Sequence, residues 1–207
     1  MEKNLSYDNF YKYFNDHSIE RIEKDFNSYL KYFPLTEEDL QKSILDVGTG
    51  TGHFITYIRD VLNNKKAFGI EIDSNKLDGT KEGFIVGDGI HLPFADGSFE
   101  IVTAKNYLSM FLCEKPEIIE MAISELIRVT RPGGKILTNL FNKDGISQQL
   151  KEMMDAGNRT EEIRTQLKFD GLNILNKILD SLKNSGYHIS SNIKDAVGGQ
   201  IIIIQKP

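Results

Sequence analysis

The apolar positions of this chain change their period near residue 43. Before it, Tyr7, Phe10, Tyr11 and Phe14 fall at i, i+3, i+4 and i+7, and Phe26, Tyr29, Leu30 and Phe33 repeat that spacing, so each set shares one helix face. Pro34 ends the second helix, and residues 1–40 are expected to form an N-terminal helical cap. From Ser43 on, short apolar runs alternate with glycine-rich turns and helical stretches, the rhythm of a parallel sheet. The runs predict strands over 44–47, 67–72, 84–86, 99–104 and 135–141, with helices over 53–62 and 116–129. Residues 74–83 are polar and leave room only for a short helix. Residues 146–167 read as a polar helix, and Asp170 is expected to cap a stronger one through Leu172, Leu175, Ile178, Leu179 and Leu182 that stops at Gly186. Two last strands, 188–193 and 200–205, are expected to pair antiparallel across a turn at Val197, Gly198 and Gly199.

Composition narrows the class. A chain of 207 residues suits one α/β domain over 41–207 with the cap in front of it. A net charge of −5, with no lysine- or arginine-rich run, offers no attraction to phosphate backbones, so nucleic acid is not the expected partner. The single Cys113 excludes an internal disulfide and a cysteine-cluster metal site. His17, His53, His91 and His188 show no metal-ligand spacing, and a metal-free site is expected. The opening MEKNLSYDNF has no apolar signal region, and the longest aliphatic run, residues 201–204, is far too short to span a bilayer, so a cytoplasmic protein without a membrane partner is expected.

The chemistry concentrates in Ile44-Leu45-Asp46-Val47-Gly48-Thr49-Gly50-Thr51-Gly52-His53-Phe54, an apolar strand, a glycine turn and a helix start. Glycines let a ligand approach the backbone, and the turn suits a nucleotide-like group. Its GxGxG spacing differs from the dinucleotide GxGxxG, with His53 in place of the last glycine. About twenty residues on, Phe68-Gly69-Ile70-Glu71-Ile72-Asp73 places a carboxylate at the end of the next strand, where it can accept hydrogen bonds from both ribose hydroxyls. Glu71 is preferred for that role, because Asp73 is positioned to cap the following short helix.

The segments ILDVGTGTGHF, GIEID, GDGIHLPFADGSFEIVTA and ELIRVTRPGGKIL stand in the order seen in class I S-adenosylmethionine (SAM)-dependent methyltransferases. The chain resembles that family over roughly residues 42–140, and looks most like the type 11 subgroup that includes the ubiquinone and menaquinone biosynthesis enzymes. The resemblance implies a Rossmann-like α/β fold, a mostly parallel seven-stranded sheet with helices on both faces and the antiparallel pair at its end. It implies that Asp46, Gly48, Thr49, Gly50 and Gly52 hold the methionine part of SAM and that Glu71 binds the ribose. Asp88 would accept the adenine amino hydrogen, the Gly89 amide would meet the ring, and Ile72 and Ile90 would sandwich it. Ala104 or Lys105 would lend backbone to the methionine end, with Asn106 and Tyr107 as candidate substrate contacts. Leu92-Pro93-Phe94 and Arg131-Pro132-Gly133-Gly134 resemble structural lead-ins to the fourth and fifth strands. Thr49 stands where many relatives have Cys or Ser, and residues 142–169 match no motif.

Methyl transfer from a sulfonium needs positioning and dryness more than a dedicated base, so the lack of a catalytic triad fits an enzyme. No catalytic residue is assigned. Tyr7, Tyr11 and Tyr29 of the aromatic cap either line the acceptor pocket or, as an aromatic helical stripe, simply pack. A cap closing over SAM and a small, partly apolar acceptor is expected, and the absence of the acidic-or-Asn–Pro-Pro-aromatic signature that the family uses for nucleic-acid base methylation speaks against nucleic acid. The alternatives are a SAM-binding regulator without transferase activity, an aminopropyl transferase, for which acidic residues would be expected near Lys105-Asn106-Tyr107, and a nicotinamide-dependent oxidoreductase, which the glycine spacing disfavours.

Overall fold

A computed structural model describes residues 17–77, 82–140, 161–194 and 200–207. Its elements follow the predicted rhythm: helix α1 (Ile19–Tyr32), β1 (Ile44–Val47), α2 (His53–Thr56) continued by a π-turn (Tyr57–Val61), and β2 (Ala67–Glu71). A 3₁₀ turn (Ser74–Lys76) leads to β3 (Phe84–Val86) and β4 (Phe99–Ala104), then α3 (Tyr107–Glu114) and α4 (Ile119–Val129). The chain ends with β5 (Thr130–Leu140), α5 (Glu161–Asn184), β6 (His188–Lys194) and β7 (Gln200–Gln205). The strands form one seven-stranded sheet in the order β3-β2-β1-β4-β5-β7-β6. All pairs are parallel as far as β5, and β7 then pairs antiparallel with both β5 and β6.

Alternation along the central strands builds a core on each face. Leu45, Val47, Val102, Ala104 and Ile136 pack with Leu108, with Ile119, Ile123 and Leu126 of α4, and with Leu175 and Leu179 of α5. Ile44, Ile101 and Leu137 point the other way, onto Phe26, Tyr29 and Phe33 from the α1 side and Phe54, Ile55 and Ile58 from the α2 side. Asp46 and Thr103 share this second face by the same two-residue period, and so lie, fully buried, under α1. α1 starts at Ser18, whose hydroxyl accepts from the Arg21 amide, and is fastened by rings: Tyr29 stacks on Phe54 at 4.1 Å and Phe26 on Tyr57 at 3.9 Å.

Three local expectations change. Arg131-Pro132-Gly133-Gly134 does not precede β5 but bulges from it, since Thr130 pairs with Phe99 and Lys135 already with Ile101. Gly133 carries the positive φ of 75° that this excursion requires. α5 does not start at Asp170: residues 161–169, rich in helix formers and without Gly or Pro, extend it backwards to Glu161. The helix at 107–114 was not anticipated beyond its first residues. The 3₁₀ turn after Glu71 is short as expected, with Asp73 accepting from the Asn75 amide as its cap. The first cap helix with Tyr7 and Tyr11, the polar stretch 146–160 and the Val197-Gly198-Gly199 turn lie outside the described residues. No described helix is long and apolar enough to cross a membrane.

Candidate functional site

The C-terminal ends of β1, β2, β3 and β4 meet at one edge of the sheet, the crevice where open α/β sheets take their ligands. The chain turns away from β1 through Gly48, Gly50 and Gly52, with φ of 71°, 58° and 74°. At Gly52 the restriction is double, because a Cβ there would also run into the Phe84 ring of β3. The Gly48 and Thr49 amides both donate to the Ile70 carbonyl, at 2.9 and 3.0 Å, which ties the turn to β2.

Glu71, at the end of β2 and 6% exposed, accepts from the Gly50 amide at 2.9 Å through one oxygen and from the Asp73 amide at 3.2 Å through the other. Lys76 stands 3.6 Å away. Glu71 and the glycine turn, predicted separately, are therefore in direct contact. Ile72, 67% exposed, presents an apolar side chain beside them. Beyond β3, Asp88 folds its carboxylate onto the Ile90 amide at 3.1 Å, Gly89 is buried, and Ile90 packs half-buried on the core.

Asp46 is wholly buried, accepting from the Thr103 hydroxyl at 2.7 Å and from the Tyr29 hydroxyl at 3.0 Å. Burial pushes its carboxyl up to about 6, against the pull of the Thr103 and Tyr29 hydroxyls and the Lys105 charge. Tyr29 is itself held far above the ordinary phenol range by burial and by Asp46. Lys105, which follows β4, sets its ammonium 4.5 Å from the Tyr29 ring centre and 4.6 Å from that of Tyr32, and 3.5 Å from the Ser28 hydroxyl. The polar face of α1 continues to Asp25, which meets His53 Nδ1 at 2.6 Å and Arg21 at 3.1 Å. Against the burial that raises it, His53 and Arg21 hold the Asp25 carboxyl below its usual range. His53 is 2% exposed, and its Nε2 has no hydrogen-bond partner among the described residues.

Ala104 is buried at the end of β4. Asn106 then takes a left-handed conformation, φ 62°, which asparagine tolerates better than most side chains. Asn139 secures it twice, accepting from its amide at 2.7 Å and donating to its side-chain oxygen at 2.8 Å. The turn delivers Tyr107 as the first residue of α3, its ring at 3.4 Å from where a Cβ on Gly48 would stand. Burial, with Asp88 and Glu125 nearby, raises its phenol well above the ordinary range.

The structure thus brings Asp46, Gly48, Thr49, Gly50, Gly52, Glu71, Asp88, Gly89, Ala104, Lys105, Asn106 and Tyr107 to one edge. Sequence reasoning missed the Asp25–His53 pair, the Tyr29–Asp46 bond and the Asn106–Asn139 pair. The contacts span 28, 17 and 33 residues, so no local pattern announces them; the only signal was the i, i+4, i+8 spacing of Arg21, Asp25 and Tyr29 on one helix face. No group of three metal-ligating side chains occurs among the described residues.

Residues 45–138 match the family described as Methyltransferase domain. A malonyl-[acyl-carrier protein] O-methyltransferase of Yersinia pestis is 34% identical over 110 residues, covering 51% of this chain and 39% of its own length. A demethylmenaquinone methyltransferase of Roseiflexus castenholzii is 31% identical over 99 residues, covering 44% and 40%. The chain spans about two fifths of the length of these curated relatives. Among solved structures, a protein of Pyrococcus horikoshii OT3 superimposes with a TM-score of 0.60 at 17% identity over 96% of this chain and 99% of its own. A SAM-dependent methyltransferase of Aquifex aeolicus gives 0.55 at 15% identity, over 95% and 97%. Residues 45–138 are thus similar in sequence to the methyltransferase domain family, and the chain shares the fold of these solved structures.

Proposed function

We propose that the protein transfers a methyl group from SAM to a small-molecule acceptor, with the cofactor laid along the C-terminal ends of β1 to β4. The observation that carries this reading is the convergence of two buried carboxylates, Asp46 and Glu71, on one glycine turn. The residues fit the group. A cationic amino acid end matches the Asp46 side of the turn, a pair of vicinal hydroxyls matches the Glu71 carboxylate, and a flat base matches the buried Gly89 beside Asp88, with the apolar Ile72 and Ile90 around it. When bound, SAM supplies an electrophilic methyl on a positively charged sulfur.

The protein's part is to position and to dry the site. Asp46 and Glu71 hold charge and hydroxyls, Ala104 and Lys105 border the methionine end, and Asn106 and Tyr107 stand between that end and the acceptor. α1 covers this side of the turn through Tyr29, Tyr32 and Asp25. On this reading residues 1–40 are a cap on a domain of residues 41–207. The matched relatives are named for malonyl-acyl-carrier protein and demethylmenaquinone, which makes these two the first acceptors to try.

Calorimetry with SAM, S-adenosylhomocysteine and NAD tests the donor, and only the first two are expected to bind. A screen of acceptors with methyl-labelled SAM, opened with demethylmenaquinone and, as the protein-bound counterpart, malonyl-acyl-carrier protein, tests the transfer; labelled product from the carrier protein alone would overturn the small-molecule reading. Tight SAM binding with no labelled product from any acceptor would favour a SAM-binding regulator instead.

A further inference from the structure

We infer that Tyr107 is a gate on the cofactor cleft: its ring fills the space between Gly48 and Gly89, and the cofactor enters when that ring turns out toward solvent. The inference rests on the SAM-site reading above. A Cβ added at Gly89 would stand 2.5 Å from the Tyr107 hydroxyl oxygen and 2.8 Å from the ring carbon that bears it, while one added at Gly48 would stand 3.4 Å from the ring edge. One phenol therefore touches both the turn that follows β1 and the loop that follows β3. A molecule reaching from the glycine turn to Gly89 crosses the volume that this ring fills.

The closed position is weakly held. The Tyr107 hydroxyl is buried and has no hydrogen-bond partner among the described residues, a cost that the group sheds as soon as it reaches water. Packing alone has no use for that hydroxyl, since phenylalanine would fill the same space without the penalty. The pivot is firm by contrast: the left-handed Asn106 is locked by its paired bonds with Asn139, so the freedom lies in the Tyr107 side chain rather than in the backbone. Tyr107 is half-buried at the start of α3, where the edge of Phe111, 5.0 Å away, steadies the closed ring.

A gate that is mostly closed weakens apparent affinity by the fraction of time it is open. Tyr107→Ala is therefore expected to bind S-adenosylhomocysteine more tightly than the wild type, by about tenfold if the gate is open roughly a tenth of the time. The wild-type protein supplies a second measurement that needs no variant. Nitration at Tyr107, read by peptide mass spectrometry, should rise when S-adenosylhomocysteine is added, because the ring moves outward. If the wild type binds but Tyr107→Ala binds no tighter, or nitration falls on binding, the gate is overturned and the cofactor reading stands. If neither protein binds S-adenosylhomocysteine, the cofactor reading is overturned and the gate goes with it. Should Tyr107→Ala fail to fold, the nitration result decides alone.

Discussion

The two ends of the parallel sheet both bury polar side chains, and they treat them in opposite ways. At the N-terminal ends of the strands Asp39, Asn64 and Glu100 are tied off. Asp39, 1% exposed, is met by Lys135 at 2.7 Å, by Lys42 at 3.0 Å and by the Thr36 amide at 3.2 Å. Asn64 donates to the Leu40 and Lys42 carbonyls, and Glu100 accepts from both the amide and the hydroxyl of Ser43 while pairing with Arg131. At the C-terminal ends, the Tyr107 hydroxyl and His53 Nε2 have no partner among the described residues, and the Asp46 carboxyl is raised. Satisfied polar groups stabilise one geometry, whereas under-satisfied and shifted ones gather where a ligand completes the set. The same β–α rhythm builds a closed base and an unfinished rim.

Substitutions should separate these ends. The largest effect is expected from Asp39→Ala, which strands Lys135 and part of Lys42 and should cost about 3 kcal/mol of stability in denaturant unfolding, with SAM affinity unchanged in the folded protein. The acid limb carries the same signature. Against burial, the bonds from Lys135 and Lys42 hold the Asp39 carboxyl down at about 2. Its folded value lies below its unfolded one, so its contribution is whole above about pH 4 and is lost as pH falls toward 2. Asp39→Asn should flatten that loss in a melting series; an acid limb as steep as the wild type's would contradict the assignment.

Glu71→Ala should do the reverse, weakening SAM binding in calorimetry by about 2 kcal/mol while moving the melting temperature little. Unaltered affinity would remove Glu71 from the proposed site. Next in size is a pH effect at Asp46. Its folded value of about 6 stands above the unfolded range, so the stability linked to its proton is complete below about pH 4 and is lost as pH rises through 6. A cationic ligand prefers the ionised carboxylate, so SAM affinity should rise by at most about tenfold between pH 5 and 7. A titration by calorimetry should show the rise in the wild type and a flat profile in Asp46→Asn. The smallest effect is expected from Tyr29→Phe, which keeps the stack on Phe54 and loses only the hydroxyl's bond to Asp46, at about 1 kcal/mol. A change above about 3 kcal/mol would mean that the hydroxyl, and not the stacked ring, fastens α1.

Most of the sheet was legible from local pattern, because β1 to β4 are short, mostly apolar runs and each parallel connection is marked by a turn. Glu71 and the glycine turn were legible for the same reason, as their positions follow from strand ends. The Arg131–Gly134 bulge was misplaced because Pro and Gly signal a departure from the strand without saying whether the strand resumes or begins there. Only the start of α3 was legible, since Asn106 and Tyr107 could stand as ordinary helix-start residues; the left-handed turn at Asn106 and its bonds with Asn139 follow from no local pattern. Asp25 and His53 looked unremarkable singly, and their pairing depends on how α1 docks, which periodicity does not encode.

The bond from Tyr29 to Asp46 joins the hold of a helix to the charge state of a site. Thermodynamic linkage makes any such junction reciprocal. A bound molecule that draws the Asp46 carboxylate toward itself loosens the grip on α1 by the same free energy that a firmly seated α1 takes from that molecule's affinity. Helix packing and binding are therefore coupled through a single hydroxyl, by no more than the roughly 1 kcal/mol that its bond carries.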